Sequence, residues 1–291
     1  MRLGLRTVMS VSTFLFLFPV SCFKFLYSKF YIPHTTLIPS LLLCYTDRMN
    51  LKEETNSKPT YISGPIKRDE MMLEIKQEMN DRMSRIGDDF TRGFEKISRL
   101  SNTVTIFGSA RFKESHPSYA KAREVGAMLA DQGYTVITGG GGGIMEAGNR
   151  GAFEAGGTSI GFNIILPQEQ AVNPYVSDSI ALRYFFSRKV LLAFSAQAYI
   201  FFPGGFGTLD EFFEIITLIQ TEKIPAAPII LVGDEFWGAL DSFVQHELLE
   251  RNYTISPGDE KLYTVTEDVQ LIQQIVDGAK QKRITEVMLG S

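Results

Sequence analysis

The sequence predicts an α/β protein: a doubly wound, Rossmann-like parallel sheet with helices on both faces, preceded by an N-terminal helical extension. Three observations carry this. From residue 103 onward, short apolar runs alternate with helical runs at the spacing of repeated strand–helix units. Two glycine-rich stretches, 139–143 and 203–207, each follow an apolar strand and lead into a helix, which is where sheets of this class gather ligands. At 291 residues and 44% hydrophobic content, the chain is long enough for one large α/β domain plus appendages.

Residues 1–48 differ in kind from the rest. Their one acid is Asp47, set against Arg2, Arg6, Lys24, Lys29 and Arg48, and the run 14–20 is apolar. A basic start before a short apolar run is the pattern of a signal peptide, and it is too short for a membrane span of ~20 apolar residues. Val20-Ser21-Cys22 faintly matches a lipoprotein cleavage site, but Pro19 stands where Leu is usual. Composition turns polar and acidic at Met49. The expectation is therefore a non-structural leader or an over-extended start, with the folded domain cytoplasmic. Residues 49–68, which contain Pro59, Gly64 and Pro65, read as a linker. Residues 69–100 read as a helix. Met72, Ile75, Met79, Met83, Ile86, Phe90, Phe94 and Ile97 recur at helical spacing and make one stripe, with Gly87 and Gly93 as places where it could break.

Residues 101–280 carry the Rossmann-like domain. Strand 103–107 is followed by Gly108-Ser109-Ala110-Arg111, and helix 120–132 stops at Gly133. Strand 135–138 runs into the first glycine stretch, then helix 144–155 and strand 158–162. An irregular segment at 166–179 leads to a helix at 184–195 and a strand at 198–202. After the second glycine stretch, helix 208–222, strand 229–232, helix 237–251, strand 262–265 and helix 267–279 complete the alternation.

Several chemistries fall away. A net charge of −4 argues against a nucleic-acid surface. The two cysteines, Cys22 and Cys44, both precede the domain, which leaves it neither a disulfide framework nor a thiol nucleophile. His34, His116 and His246 share no ligand spacing, so no metal is expected. No Gly-x-x-x-x-Gly-Lys-Ser/Thr occurs, and the dinucleotide fingerprint fails because Ile144, Met145 or Glu146 stands where its third glycine belongs.

What remains points to a mononucleotide. Gly139, Gly140, Gly141, Gly142 and Gly143 are too many glycines for a tight turn alone and suggest a backbone brought against a ligand. Gly204, Gly205, Phe206, Gly207 and Thr208 precede a helix whose N–H groups could take a phosphate. Thr208 and Glu211 also fit a capping box, a bland alternative that the residues alone leave open. Arg188 and Lys189 enter an apolar helical run one strand earlier. If Asp210 and Glu211 sit in the first turn of their helix, they repel a phosphate there. It is then expected between the two glycine loops.

These motifs, in this order over residues 101–250, resemble the lonely-guy family, the cytokinin riboside 5'-monophosphate phosphoribohydrolases long mislabelled as lysine decarboxylases. The resemblance implies hydrolysis of the N-glycosidic bond of a nucleoside 5'-monophosphate to free base and ribose 5-phosphate, without a cofactor. It implies that Arg188 and Glu211 are the catalytic pair. It puts substrate contacts on Lys189, on Gly205 through Thr208, on Thr217 and on Glu169. It also favours a dimer, and the sequence has its own reason. Phe212, Phe213, Ile215, Ile216, Leu218 and Ile219 point in nearly every direction around helix 208–222, so part of that surface needs a partner. A homodimer or larger even-numbered assembly is expected, with this helix at or beside the two-fold axis. The competing reading is a protein that holds a nucleotide or phosphorylated cofactor without cleaving it.

Overall fold

The structure is a computed structural model that describes residues 68–165 and 171–289. The expectations for residues 1–48, for 49–67 and for Glu169 lie outside the described residues. The first element is helix α1, Arg68–Ile97, unbroken at Gly87 and Gly93. Its stripe is divided in use. Phe90, Ile97 and the following Leu100 pack on the core, whereas Met72, Met79 and Met83 stand exposed.

Seven parallel strands follow, with their helices. They are β1 (Thr103–Phe107), α2 (Pro117–Asp131), β2 (Thr135–Thr138), α3 (Ile144–Glu154), β3 (Ser159–Ile164) and β4 (Asp178–Leu182). Next come α4 (Phe185–Ser195), β5 (Ala198–Phe201), α5 (Phe206–Gln220), β6 (Ile229–Leu231), α6 (Asp234–Phe243), β7 (Tyr263–Val265) and α7 (Val269–Leu289). The sheet order is β4-β3-β2-β1-β5-β6-β7, and every pair is parallel. Parallel strands buried on both faces need apolar side chains in both directions, and β1 supplies them. Val104 and Ile106 join α2, α3 and α7 in one core, while Phe107 joins α4, α5 and α6 in the other. The sheet is doubly wound.

Four local expectations are corrected. Strand β4 forms within and just after the segment read as irregular. It is an edge strand with only Ile180 and Leu182 buried, so its five residues lack the continuous apolar run of the inner strands. Helix α5 begins at Phe206, with Gly205 as its N-cap and no side-chain cap bond. Thr208 and Glu211 therefore form no capping box, and Asp210 and Glu211 lie beyond the first turn. The predicted helix 237–251 begins earlier, at Asp234, behind Gly233, whose φ of 121° suits glycine. Its second half, Val244–Arg251, is a π-helix.

The chain walks from β1 outward to β4, then crosses back to place β5 on the other side of β1. The β1/β5 boundary is thus the topological switch point, and the loops leaving those two strands splay apart to open a crevice.

Candidate active site

A cleft of 970 Å³ opens at the carboxyl ends of β1 and β5, lined from the β1 loop (Ser109, Arg111), from α4 (Arg188, Lys189) and from the start of α5 (Gly205 to Glu211). Backbone bonds fix its floor. Phe202 N–H donates to the Phe107 carbonyl at 2.9 Å, and Ser109 N–H to the Pro203 carbonyl at 3.0 Å. Phe212 holds α5 on the sheet, fully buried, with its ring 5.7 Å from Phe201 and 5.8 Å from Trp237. Truncating a core phenylalanine of this kind costs about 3–5 kcal/mol. Glu211, the preceding residue, is aimed from this anchored helix.

Only 8% of Glu211 is exposed, and its Oε2 has no hydrogen-bond partner. Burial pushes its carboxyl up to about 7, against the opposing pull of Lys189 and Arg188. An unpaired carboxylate oxygen that is buried is costly, and this one belongs to a residue lining the cleft. Arg188 donates from Nε to the Phe162 carbonyl at 2.7 Å, at the end of β3. Burial lowers its pKa and Glu211 opposes that, but a guanidinium stays charged throughout the working range. Lys189 bridges α4 to α5 through Asp210 at 2.8 Å and Glu214 at 3.1 Å. Burial works against its charge, and these two hydrogen bonds outweigh it, leaving its pKa raised.

The five-glycine turn also has a structural use. Of its members only Gly139 lines the cleft. A Cβ there would fall 2.0 Å from Arg188 Nη2, so glycine makes room for the guanidinium. At Gly143, φ is 67° and a Cβ would meet the Ser109 carbonyl oxygen at 2.2 Å, so the β1 loop can pack onto the start of α3. Gly140 and Gly141 are held from outside. Asn173 donates from its N–H to the Gly140 carbonyl at 2.9 Å and from Nδ2 to the Gly141 carbonyl at 3.0 Å. Thr138 Oγ1 accepts from Gly140 N–H at 2.9 Å. Gly142 lies toward Ala110 and Glu146, outside the cleft lining. The turn is a rigid support for Arg188 and the β1 loop. One strand, β1, separates it from the α5 loop, so the two loops leave the sheet about 10 Å apart.

At the start of α5, Gly205, Phe206, Gly207 and Thr208 all line the cleft, and Phe206 is 92% exposed at its mouth. Gly204 lies directly against the Thr208 hydroxyl. The Thr208 N–H is committed to the Gly205 carbonyl at 3.0 Å, whereas those of Gly205, Phe206 and Gly207 have no acceptor among the described residues. Thr217 is exposed, with its hydroxyl donating to the Phe213 carbonyl at 2.6 Å, and it does not line the cleft of its own chain. Ser109, Arg111, Phe185 and Asn173 were not singled out in the sequence. Ser109 and Arg111 follow strand β1 as a short polar loop, and their importance depends on β1 being the central strand. Among the described residues, no His/Cys/Asp/Glu group could hold a metal, and no helix is long and apolar enough to cross a membrane.

A family model described as "Possible lysine decarboxylase" matches residues 145–276. A cytokinin riboside 5'-monophosphate phosphoribohydrolase of Mycobacterium tuberculosis is 31% identical over 174 residues, which cover 56% of this chain and 87% of that protein. The enzyme of that name from Oryza sativa subsp. japonica is 32% identical over 161 residues, covering 54% of this chain and 65% of its own length. Among solved structures, the molybdenum cofactor carrier protein of Chlamydomonas reinhardtii superposes with a TM-score of 0.45 at 25% identity, over 62% of this chain and 97% of that one.

Proposed function

The chain belongs to the lonely-guy family of cytokinin riboside 5'-monophosphate phosphoribohydrolases, and from that premise we propose that its cleft hydrolyses the N-glycosidic bond of a nucleoside 5'-monophosphate. The observation that carries the reading is the buried, unpartnered Glu211 carboxylate oxygen in the same cleft as the Arg188 guanidinium.

The 5'-phosphate belongs at the start of α5. There the N–H groups of Gly205, Phe206 and Gly207 lack acceptors, and the helix dipole favours an anion. The exposed Arg111 guanidinium lines the same cleft and adds positive charge. Because the helix starts at Phe206, Glu211 stands five residues further in, about 7 Å along the axis at 1.5 Å per residue. That offset removes the repulsion expected from an acid in the first turn. It also suits a ribose 5-phosphate, whose anomeric carbon lies at the far end of the sugar from its phosphate.

Loss of the base places positive charge on the ribose in an oxocarbenium-like state. The Glu211 carboxylate stabilises that charge and orients the attacking water. The C1'–N bond breaks with its electron pair leaving on the base nitrogen, the water oxygen bonds to C1', and the water's proton goes to the base. Arg188 holds the substrate through a planar, multidentate donor set that Lys cannot copy. Lys189 sets the spacing of α4 and α5 and lowers the charge cost of Glu211.

Exposed apolar residues on α5, with Phe213 at 42%, and on the first turns of α1 suit a homodimer. Thr217 on that same outer face would meet the partner rather than its own cleft. The test of function is base release. AMP should be cleaved to adenine and ribose 5-phosphate, and adenosine at the same concentration should not. Equal handling of the two would remove the phosphate site, and tight AMP binding without any cleavage would favour the non-catalytic reading.

A further inference from the structure

Among the described residues two carboxylates are buried, Glu211 and Asp89, and Asp89 has no exposed surface at all. It sits on α1, outside the segment that the family model matches. Its Oδ2 accepts from the Arg183 N–H at 2.7 Å and from the Ser187 hydroxyl at 3.2 Å. Its Oδ1 accepts from Arg183 Nη1 at 3.0 Å and Arg92 Nη2 at 3.1 Å. These donors surround the start of α4, a helix whose own N-cap, Tyr184, makes no side-chain cap bond and whose first turn contains no acid. A helix start needs an acceptor for its exposed N–H groups and favours negative charge. Here the negative charge comes from another helix, and the N–H it accepts is that of Arg183, just before the N-cap. The two helices come close enough for this because Gly93 of α1 lies on Leu191 of α4, where a Cβ would fall 2.2 Å from Cδ1.

We propose that Asp89 is a positioning residue for the reaction. By holding the Arg183 N–H and the Ser187 hydroxyl from α1 it fixes the start of the helix that delivers Arg188, the neighbour of Ser187, into the Glu211 cleft. The inference rests on the catalytic reading of Arg188 given above. Asp89 touches no substrate and acts only through α4. Its carboxylate makes the N-terminal helix part of the working site.

The test compares the full chain with Asp89→Ala and Asp89→Asn, reading kcat for base release from AMP, the urea midpoint, and amide hydrogen exchange over residues 183–190. Asp89→Ala should fold cooperatively, exchange faster in that segment than elsewhere, and lose about 10-fold or more in kcat, since displacing a positioned group by 1 Å can cost ~10²-fold. Asn keeps a side-chain oxygen that can accept from the Arg183 N–H and the Ser187 hydroxyl, so Asp89→Asn should recover kcat to within about threefold. A folded Asp89→Ala with wild-type kcat overturns the proposal, as does equal loss in Ala and Asn, or a loss with unchanged exchange in 183–190. If Asp89→Ala does not fold, Ser187→Ala takes its place, with a kcat drop of about threefold expected from one lost hydrogen bond and a wild-type value overturning. Absence of base release by the wild type would instead overturn the functional reading, while the exchange measurement would still decide whether Asp89 orders the start of α4.

Discussion

At Glu211 the loss of water has two measurable consequences. A carboxyl held near 7 by burial is half ionised at neutral pH, which suits a group that must carry charge in one step and exchange a proton in the next. The kcat/KM for AMP should therefore rise with pH along a limb of apparent pKa near 7, above the ~6 of the substrate's own phosphate. Glu211→Gln should lose that limb together with ~10²-fold or more in kcat. The same shift acts on stability. Because the folded state holds this proton more tightly than the unfolded chain, the contribution is complete below about pH 4.5 and is lost as pH rises through about 7. It is worth roughly 3 kcal/mol across the window. Urea titrations at pH 4.5 and pH 8 should show wild type falling relative to Glu211→Gln, and parallel behaviour would return Glu211 to a solvated role. Arg188 and Glu211 were singled out through the resemblance that their flanking motifs carry, and the structure brings both into one cleft. Asp89 was not legible. Asp88 and Asp89 are one acidic pair on a charged helix, and only the packing of α1 on α4 buries the second of them.

Whole elements were easier to read than their ends. The inner strands declared themselves because a parallel strand covered on both faces must be apolar throughout, as in the stretch from Ala198 to Phe202. Edge strand β4 is half polar and shows only Ile180 and Leu182 to the core. The start of α5 was misread because Thr208 and Glu211 have capping-box spacing, whereas the extended backbone of Gly205 had already begun the helix. The glycine turn after β2 was recognised, but not its packing against Arg188 and the β1 loop, since the spacing of glycines cannot name what lies against them. Two substitutions separate its duties. Gly139→Ala should displace the Arg188 guanidinium and lower kcat by ~10²-fold with little change in urea midpoint. Gly143→Ala meets backbone at a positive φ and should destabilise by more than about 1 kcal/mol. Equal effects of the two on stability would contradict this division.

Among the described residues, most of the large exposed apolar side chains lie on helices. Met79 at 62% and Met83 at 64% stand on α1, Phe206 and Phe185 line the cleft, and Phe213 stands on the outer face of α5. Light scattering on dilute protein should give about twice the 32.6 kDa chain mass or a higher even multiple. A monomer mass with full activity would exclude a shared active site. The sequence announced that these surfaces needed cover but not how the fold disposes of its strand margins. Arg92 of α1 donates to the Ala181 carbonyl of β4, and Asp89 takes the Arg183 N–H just beyond that strand. One outward carbonyl of β4, and the first N–H beyond the strand, are thus occupied by side chains of a helix. An open margin is a template on which any extended chain can add itself, and proteins guard such margins with charge or cover. At the end of β4 this chain uses both, which hinders a sheet continued from one copy to the next on that side. Growth into fibrils by strand addition there would first have to peel α1 away, taking with it the carboxylate that holds the start of the Arg188 helix.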